Sequence, residues 1–225
     1  MEKKIFNVAT YKRDHYLLKT IESIYDQADV INIALNSHTI VPTELCNDAK
    51  INCYITNNSI GDGFKFLKLN DSNGYYFTID DDIIYPKNYS DYLIQKYMQY
   101  NNKCVVTLHG RTFIKHPITS YYRSGHYSYR CLGDVNSDVA VEFGGTGVMM
   151  FHTDLIKYDI KNILHPNMAD VWMGKFANEM NIKIMCVAHN KNYLSYQDGV
   201  GCNTIFDNSV NRDVVQTNIV NEIFK

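Results

Sequence analysis

Apolar residues along the chain fall into short runs that alternate with longer segments of helical spacing. The short runs predict strands at residues 5–10, 30–35, 51–55, 75–79 and 104–108. Between them, the spacing of apolar positions predicts helices at residues 14–27, 63–69 and 89–100. Strands separated by helices favour βαβ units, and we therefore expect an α/β fold around a mostly parallel sheet.

The second half of the chain has a less regular pattern. Residues 109–139 are rich in Tyr, Arg, His, Ser and Gly, and we interpret them as an active-site loop region or an irregular excursion. Further predicted elements are a strand at 148–151, a helix at 170–180, a strand at 182–187 and a final amphipathic helix at 212–224. No repeat, low-complexity tract or flexible linker interrupts the sequence, so we expect one domain over residues 1–225.

Length, charge and hydropathy narrow the class of protein. A chain of 225 residues with 45% hydrophobic content can bury a large core. Its net charge of −2 gives no support for nucleic-acid binding, which usually needs a strongly basic face. No apolar run approaches the roughly 20 residues of a transmembrane helix, and the N-terminus shows no signal-peptide core. We therefore expect a cytoplasmic protein without a membrane span.

The cysteines give no sign of a metal or redox site. They lie at positions 46, 53, 104, 131, 186 and 202, and no two form a CxxC pair. The spacing of a zinc ribbon or a thioredoxin motif is therefore missing, and we interpret the cysteines as buried free thiols.

Three adjacent carboxylates, Asp80, Asp81 and Asp82, directly follow the apolar strand at 75–79. Adjacent carboxylates repel one another and lose hydration when partly buried, and a bound cation offsets that cost. Oxygen ligands of this kind suit Mg²⁺ or Mn²⁺, which also bind phosphates. In an extended segment Asp80 and Asp82 point to the same side. A solvated acidic turn is the alternative, but the apolar residues on both sides of the triplet favour a functional site.

The segment YFTIDDDIIYP, residues 76–86, resembles the DxD region of glycosyltransferase family 2-like enzymes, which have the GT-A fold. The opening VATYKR at residues 8–13 and the helix end SIYDQ at 23–27 resemble the first strand and helix of that family. The resemblance covers about residues 5–190. It implies a single GT-A domain with a mixed, mostly parallel sheet flanked by helices. Residues 1–108 would form the nucleotide-sugar-binding half, 109–190 the acceptor and catalytic half, and 191–225 a C-terminal tail and helix.

The resemblance also implies a set of donor-binding residues. Thr10 and Tyr11 at the end of the first strand would contact the nucleotide base, with Arg13 as a weaker candidate, although Tyr11 is open to ordinary packing as well. The acidic residue that the family often has after the second strand is replaced here by Asn36, whose amide both donates and accepts. Lys65, in GDGFK, could meet a diphosphate as a point charge or be a solvated lysine beside a surface turn.

For the metal and the chemistry, the resemblance implies that Asp82 and a late histidine, His189, bind Mn²⁺ or Mg²⁺. Asp80 or Asp81 would then contact the ribose or the metal. A lone histidine is equally compatible with a structural role. Asp170 is the candidate general base, and it is also placed to cap the helix that follows.

The acceptor side is assigned to His109, Gly145 and Thr146. The GGTG sequence at 144–147 lacks the GxxxxGK[ST] spacing of a phosphate loop, and a strand follows it instead of a helix. The resemblance places it beside the acceptor, where glycines leave room for a sugar. A tight turn is the alternative interpretation.

The activity that this resemblance implies is metal-dependent transfer of a sugar from a nucleotide-sugar, with UDP as the expected nucleotide, to the hydroxyl of a glycan or other acceptor. Inversion at the anomeric carbon and a place in surface polysaccharide or glycan synthesis are expected by analogy. Two alternatives stay open. One is a degenerate module that binds a nucleotide or a sugar without turnover. The other is a sugar nucleotidyltransferase, although YKRD at residues 11–14 replaces the Gly-rich, basic loop usual in that class.

Overall fold

A computed structural model of the protein describes residues 2–199 and 213–225. Its strands are β1 (Lys4–Thr10), β2 (Val30–Asn36), β3 (Ile51–Thr56), β4 (Tyr75–Ile79), β5 (Ile83–Ile84), β6 (Cys104–Thr107), β7 (Gly110–Phe113), β8 (His126–Tyr129), β9 (Val139–Val141), β10 (Phe143–Gly144), β11 (Val148–His152), β12 (Lys183–Cys186) and β13 (Ser195–Tyr196). The α-helices are α1 (Asp14–Ile24), α2 (Tyr89–Gln99), α3 (Ala169–Glu179) and α4 (Val214–Ile223). Short 3₁₀ turns occur at Tyr25–Gln27, Thr43–Leu45, Gly61–Phe66 and Ile160–Asn162.

The centre of the fold is an eight-stranded sheet with the order β3-β2-β1-β4-β11-β6-β12-β9. Four of its seven pairings are parallel, those of β1 with β2, β1 with β4, β2 with β3 and β6 with β12. The other three are antiparallel, because β11 runs against both of its neighbours and β9 runs against β12. The α/β class and the mixed, mainly parallel sheet expected from the sequence are therefore confirmed.

Alternating apolar residues on the strands supply a core on each face of this sheet. On β4, Phe77 and Ile79 join the core beneath α1 and α2, whereas Tyr76 joins the core beneath α3 and α4. Since successive side chains of a strand point to opposite faces, a strand buried on both sides is apolar at most positions, as β4 and β11 are. The protein thus has three layers, with helices on both faces of the sheet.

The predicted elements of the first half, apart from the helix at 63–69, are confirmed with small shifts at their ends. Residues 63–69 form a 3₁₀ turn at Gly61–Phe66 instead of an α-helix. The final helix begins at Val214, and Arg212, where the sequence pattern started it, lies outside the described residues. None of the helices in the described part of the chain is long and apolar enough to cross a membrane.

Residues 109–139 contain strands that the sequence pattern did not predict. In this segment β7 pairs with β8 as an antiparallel hairpin, and β10 extends it to a three-stranded sheet. Only Gly110 and Phe113 of these two hairpin strands are buried, so neither strand has the apolar alternation that would have revealed it. The expectation of buried thiols is correct for Cys104, Cys131 and Cys186, whereas Cys53 is only partly buried, Cys46 is exposed and Cys202 is not among the described residues.

Candidate functional site

The carboxyl ends of six strands meet at one edge of the large sheet. Strands β1, β2, β3, β4, β6 and β12 all run in the same direction, so the residues that follow them lie along this edge. Because β11 runs in the opposite direction, the segment that precedes it, Gly145–Thr146–Gly147, reaches the same edge. Ligands of open α/β sheets bind at such an edge.

A cleft of about 790 Å³ opens at this edge. Of the residues assigned to the site from sequence, eleven line it: Tyr11, Arg13, Asn36, Lys65, Asp80, Asp81, Asp82, His109, Gly145, Thr146 and Asp170. Thr10 lies just behind its wall, and His189 is not part of it. The cleft is large enough for a small-molecule ligand of nucleotide-sugar size.

Each carboxylate of the triplet contacts a basic side chain. Arg13 lies between two of them, with Nη1 3.1 Å from Asp81 Oδ1 and Nη2 2.7 Å from Asp82 Oδ2. Lys65 Nζ forms an ion pair with Asp80 Oδ1. The triplet is not the extended segment expected from sequence, because Asp81 and Asp82 form a turn between β4 and β5. All three side chains nevertheless line the cleft.

The basic side chains offset only part of the cost of burying the carboxylates of Asp81 and Asp82. Burial raises the pKa of Asp81 to about 6, although Arg13 and a 2.6 Å hydrogen bond from the Thr10 hydroxyl act in the opposite direction. Burial and the charge of Asp80 also raise the pKa of Asp82. Burial lowers the pKa of the Lys65 ammonium, but Asp80 and Asp62 outweigh it, so that pKa is raised overall. The site therefore favours further positive charge near Asp81 and Asp82.

The segment before β11 joins the triplet to Asp170. A Cβ at Gly147 would overlap the Asp80 carboxylate, so only glycine lets Asp80 approach the chain here. The backbone N–H and the hydroxyl of the neighbouring Thr146 both donate to Asp170 Oδ1 at 2.7 Å. Sequence reasoning expected these glycines to leave room for a sugar. In the structure Gly147 makes room for Asp80, and Gly145 for His109, whose Cβ would be 2.7 Å from an added methyl group.

Asp170 lies in the first turn of α3 and is not its cap. Met168 is the N-cap residue and makes no side-chain capping bond. The first N–H of the helix, that of Ala169, is instead 3.2 and 3.3 Å from the two oxygens of Asp62. Asp62 therefore caps the helix, a role that the alternative interpretation gave to Asp170. The second oxygen of Asp170, Oδ2, receives no hydrogen bond from the described residues. Burial raises the pKa of Asp62 to about 7, and Asp170 adds to the shift.

The donor-side candidates Tyr11 and Asn36 lie at the carboxyl ends of β1 and β2. Tyr11 is half-exposed, and its ring is accessible to a flat ligand. Asn36 is buried, and its amide donates to the Gly61 carbonyl at 3.0 Å. Gly61 has a φ of +57° and lies directly against Asn167, so it could carry no side chain. Asn36 therefore fixes the turn that carries Asp62 and Lys65 as well as lining the cleft.

The structure does not bring His189 to the triplet. It follows β12, which lies three strand spacings, roughly 14 Å, from β4. Its Nδ1 is 2.8 Å from the Val187 carbonyl and its Nε2 is 3.3 Å from the Arg130 carbonyl, so both ring nitrogens face backbone oxygens. The structural interpretation of this histidine, left open by the sequence, is the one that its contacts favour. His109 does line the cleft, and burial lowers the pKa of its imidazole.

Several residues of the cleft escaped sequence reasoning. They are Asn58, Asp62, Arg111, Tyr121, Tyr122, Cys131, Asn167, Met168, Tyr196 and Gln216. Most come from segments without regular spacing, where no sequence signal separates a cleft residue from a surface residue. Tyr196 lies in the cleft because β13 pairs with β5, next to the triplet. The neighbouring Gln197 N–H donates to the Asp82 carbonyl at 3.1 Å.

Comparisons with known proteins add nothing to this geometry: the sequence matches no family model, and no curated protein is significantly similar to it.

Proposed function

We propose that the chain is a glycosyltransferase domain of the GT-A type that transfers a sugar from a nucleotide-sugar, with a UDP-sugar as the expected donor, to a hydroxyl acceptor. The proposal is carried by one observation: the carboxylates at the end of β4 and the carboxylate of Asp170 line the same cleft, joined by Thr146 and Gly147. One carboxylate group is then available for the donor and a separate one for the acceptor. Transfer of a sugar to a hydroxyl uses one group of residues to bind the donor and a separate base to remove the proton of the acceptor hydroxyl.

Two properties of the cleft, its charge and its oxygen ligands, support a divalent cation as part of the proposal. Among the described residues of the cleft, five aspartates face three basic side chains, which leaves an excess of two negative charges when all five carboxyl groups are ionised. Carboxylate oxygens suit Mn²⁺ or Mg²⁺, and the raised pKa of Asp81 and of Asp82 indicates that more positive charge would be favourable there. Asp82 and Asp80 would hold the ion. When bound, it supplies positive charge to the departing diphosphate.

The side chains of the chain itself would do the remaining work. Tyr11 stacks on the base, and Lys65, held beside Asp80, faces the diphosphate. Asp170 Oδ2 takes the proton of the acceptor hydroxyl while Oδ1 stays bonded to Thr146. The acceptor oxygen forms a bond to the anomeric carbon, and the bond from that carbon to the diphosphate oxygen breaks with its electron pair on the leaving nucleoside diphosphate. Attack from the side opposite to the leaving group inverts the anomeric carbon.

The first test is thermal unfolding with UDP, GDP, CMP and ADP, each with and without Mn²⁺. A ligand that binds only the folded state raises the midpoint by mass action, and we expect a shift with UDP that requires the metal. The Asp82→Asn variant should lose this shift. The Asp170→Asn variant should keep it and lose about 10²–10⁴-fold in transfer rate, the usual contribution of a general base.

Product analysis with the donor so identified separates the alternatives. Release of free nucleoside diphosphate with transfer of the sugar supports the proposal, whereas release of pyrophosphate would assign a nucleotidyltransferase. Metal-dependent nucleotide binding without transfer or donor hydrolysis would assign a non-catalytic module. A fully active Asp82→Ala variant would contradict the role of the triplet.

A further inference from the structure

Arg111 is a half-buried cation in the wall of the cleft, and no described carboxylate pairs with it. The other two basic residues of the cleft are neutralised, Arg13 by Asp81 and Asp82, and Lys65 by Asp80. Arg111 belongs to β7 and makes no ion pair with any residue in 2–199 or 213–225. In a cleft with an excess of carboxylates, a basic side chain kept away from all of them calls for an explanation.

The contacts of Arg111 orient its guanidinium without using up its donors. Nη1 donates to the Tyr121 carbonyl at 2.7 Å, and the group lies 4.5 Å from the centre of the Tyr121 ring and 5.4 Å from that of Tyr122. A guanidinium has five N–H donors in a planar fork. Only one bond to a described acceptor is formed, so the edge of the fork remains available to a ligand. Stacking on the two rings fixes the plane in which that ligand would bind.

The position of Arg111 is on the catalytic side of the cleft. Its register partner on β10 is Phe143, and three residues later Thr146 holds Asp170. Arg111, the buried Tyr121 and Asp170 all line the cleft, and Tyr121 is close enough to both charges for Arg111 to lower its pKa and for Asp170 to raise it. Arg111 thus faces the space next to the candidate base. The diphosphate of a donor would lie at the triplet, beside Arg13 and Lys65.

We propose that Arg111 binds an anionic group, a carboxylate or a phosphate, carried by the acceptor whose hydroxyl faces Asp170. The inference rests on the proposed function, because it takes Asp170 to mark the acceptor position. An arginine fork forms two parallel bonds with a carboxylate or phosphate, and these charge-assisted bonds are about twice as strong as neutral ones. A neutral acceptor would leave the unpaired charge of Arg111 partly desolvated beside it, so the site discriminates in favour of the anion.

The test measures binding of three sugars, glucuronic acid, glucose 6-phosphate and glucose, to the protein by saturation-transfer NMR titration, with and without UDP and Mn²⁺. We expect at least one of the two anions to bind roughly tenfold more tightly than glucose, as a charge-assisted hydrogen bond predicts. The anion that binds more tightly identifies a carboxylate or a phosphate. The preference should disappear in Arg111→Gln and persist in Arg130→Gln, an exposed arginine whose charge also reaches His109 but whose side chain does not line the cleft.

Because Arg111 also contacts Tyr121 and Tyr122, its replacement could disturb folding. The thermal unfolding of each variant is therefore measured alongside its titration. If Arg111→Gln does not fold, Arg111→Lys carries the test, and its preference for the anion should be weakened because lysine offers a point charge without the fork. Equal binding of all three sugars, no binding of either anion at millimolar concentration, or a preference that survives Arg111→Gln would overturn the inference. Failure of the proposed function gives a different result, since no nucleotide would then shift the midpoint of the wild-type protein.

Discussion

Arg13 changes the way the carboxylate triplet has to be understood. The sequence ranked it as a weak contact to the nucleotide base, but its guanidinium lies against Asp81 and Asp82 and thereby occupies the position of a counter-ion. A cation that binds Asp82 must compete with it. A diphosphate that arrives together with the cation would give Arg13 a new anionic partner, so we expect metal and nucleotide to bind more tightly together than either binds alone.

The Arg13→Gln variant separates these two effects. Without the guanidinium, Asp82 is free, and we expect Mn²⁺ alone to bind roughly tenfold more tightly, the value of one charge-assisted hydrogen bond. Binding of UDP in the presence of Mn²⁺ should weaken, because the phosphate loses its partner. Titration of free Mn²⁺ by electron paramagnetic resonance measures the first effect, and calorimetry measures the second.

Lys12→Gln provides the matched control, because it removes one positive charge from the neighbouring exposed residue, which lies over the Tyr11 ring. It should leave the affinity for Mn²⁺ alone unchanged. An Arg13→Gln protein that binds Mn²⁺ no better than the wild type would show that Arg13 does not compete for the carboxylates.

Among the elements, α3 carries the candidate base, and its position is fixed from both sides. Asp62 receives the first N–H of the helix, and Gly174 lets the middle of the helix pack directly on β10. A Cβ at Gly174 would overlap the ring of Phe143 and lie 3.1 Å from the Glu142 carbonyl. Glycine is usually a poor helix residue, so its presence here reflects this close approach.

Gly174→Ala is therefore expected to destabilise the protein although alanine is the better helix former. Helix propensity alone would stabilise by about 1 kcal/mol, whereas overpacking of a close contact costs about 1–3 kcal/mol. We expect a net loss in urea-induced unfolding, together with a reduced transfer rate because Asp170 moves with the helix. Asn178→Ala, on the exposed side of the same helix, should be neutral or stabilising. Stabilisation by Gly174→Ala would mean that α3 shifts freely, and the helix would then not position Asp170.

For the whole molecule, the sequence predicts the strands and helices better than their arrangement. Residues 148–151 are apolar because β11 lies between β4 and β6 and is buried on both faces, and such a run carries no information on strand direction. The reversal of β11 is nevertheless what brings Thr146 and Gly147 to the cleft. The hairpin of β7 and β8 was missed for the opposite reason, since its strands are too exposed to have an apolar face.

The candidate site was predictable where its residues come directly after a predicted strand. Asp80–Asp82 and His109 follow directly from the ends of β4 and β6, and both lie in the cleft. His189 satisfies the same rule, yet it follows a strand three places further along the sheet, and strand order is not readable from a single sequence. Asp62 and Arg111 depend on contacts between distant segments, and no local pattern marks them.

Asp138 connects three elements of the molecule, because it precedes β9 at the edge of the sheet and contacts α2 and the segment that follows β12. Its carboxylate is 2.9 Å from Lys96 Nζ and accepts bonds from the Ala188 N–H and the Tyr100 hydroxyl at 2.8 Å. Burial acts to raise the pKa of Asp138, but these three partners outweigh it, and the pKa is lowered below the ordinary 3.8.

A carboxyl whose pKa is lowered by folding stabilises the protein above its unfolded pKa, and the stabilisation is lost as the pH falls through the folded value. We therefore expect Asp138→Asn to reduce the unfolding free energy at neutral pH by about 1–3 kcal/mol, the cost of unsatisfied partners of a charged group. The difference from wild type should shrink below pH 4 in urea titrations at a series of pH values. Asp91→Asn is the matched control, because the Asp91 carboxylate also pairs with a lysine, Lys4, but is 74% exposed. This variant should change the unfolding free energy by less than about 1 kcal/mol. If the loss in Asp138→Asn were the same at pH 3 and pH 7, it would come from packing at this junction, and the charge of Asp138 would contribute nothing to holding the sheet edge against α2.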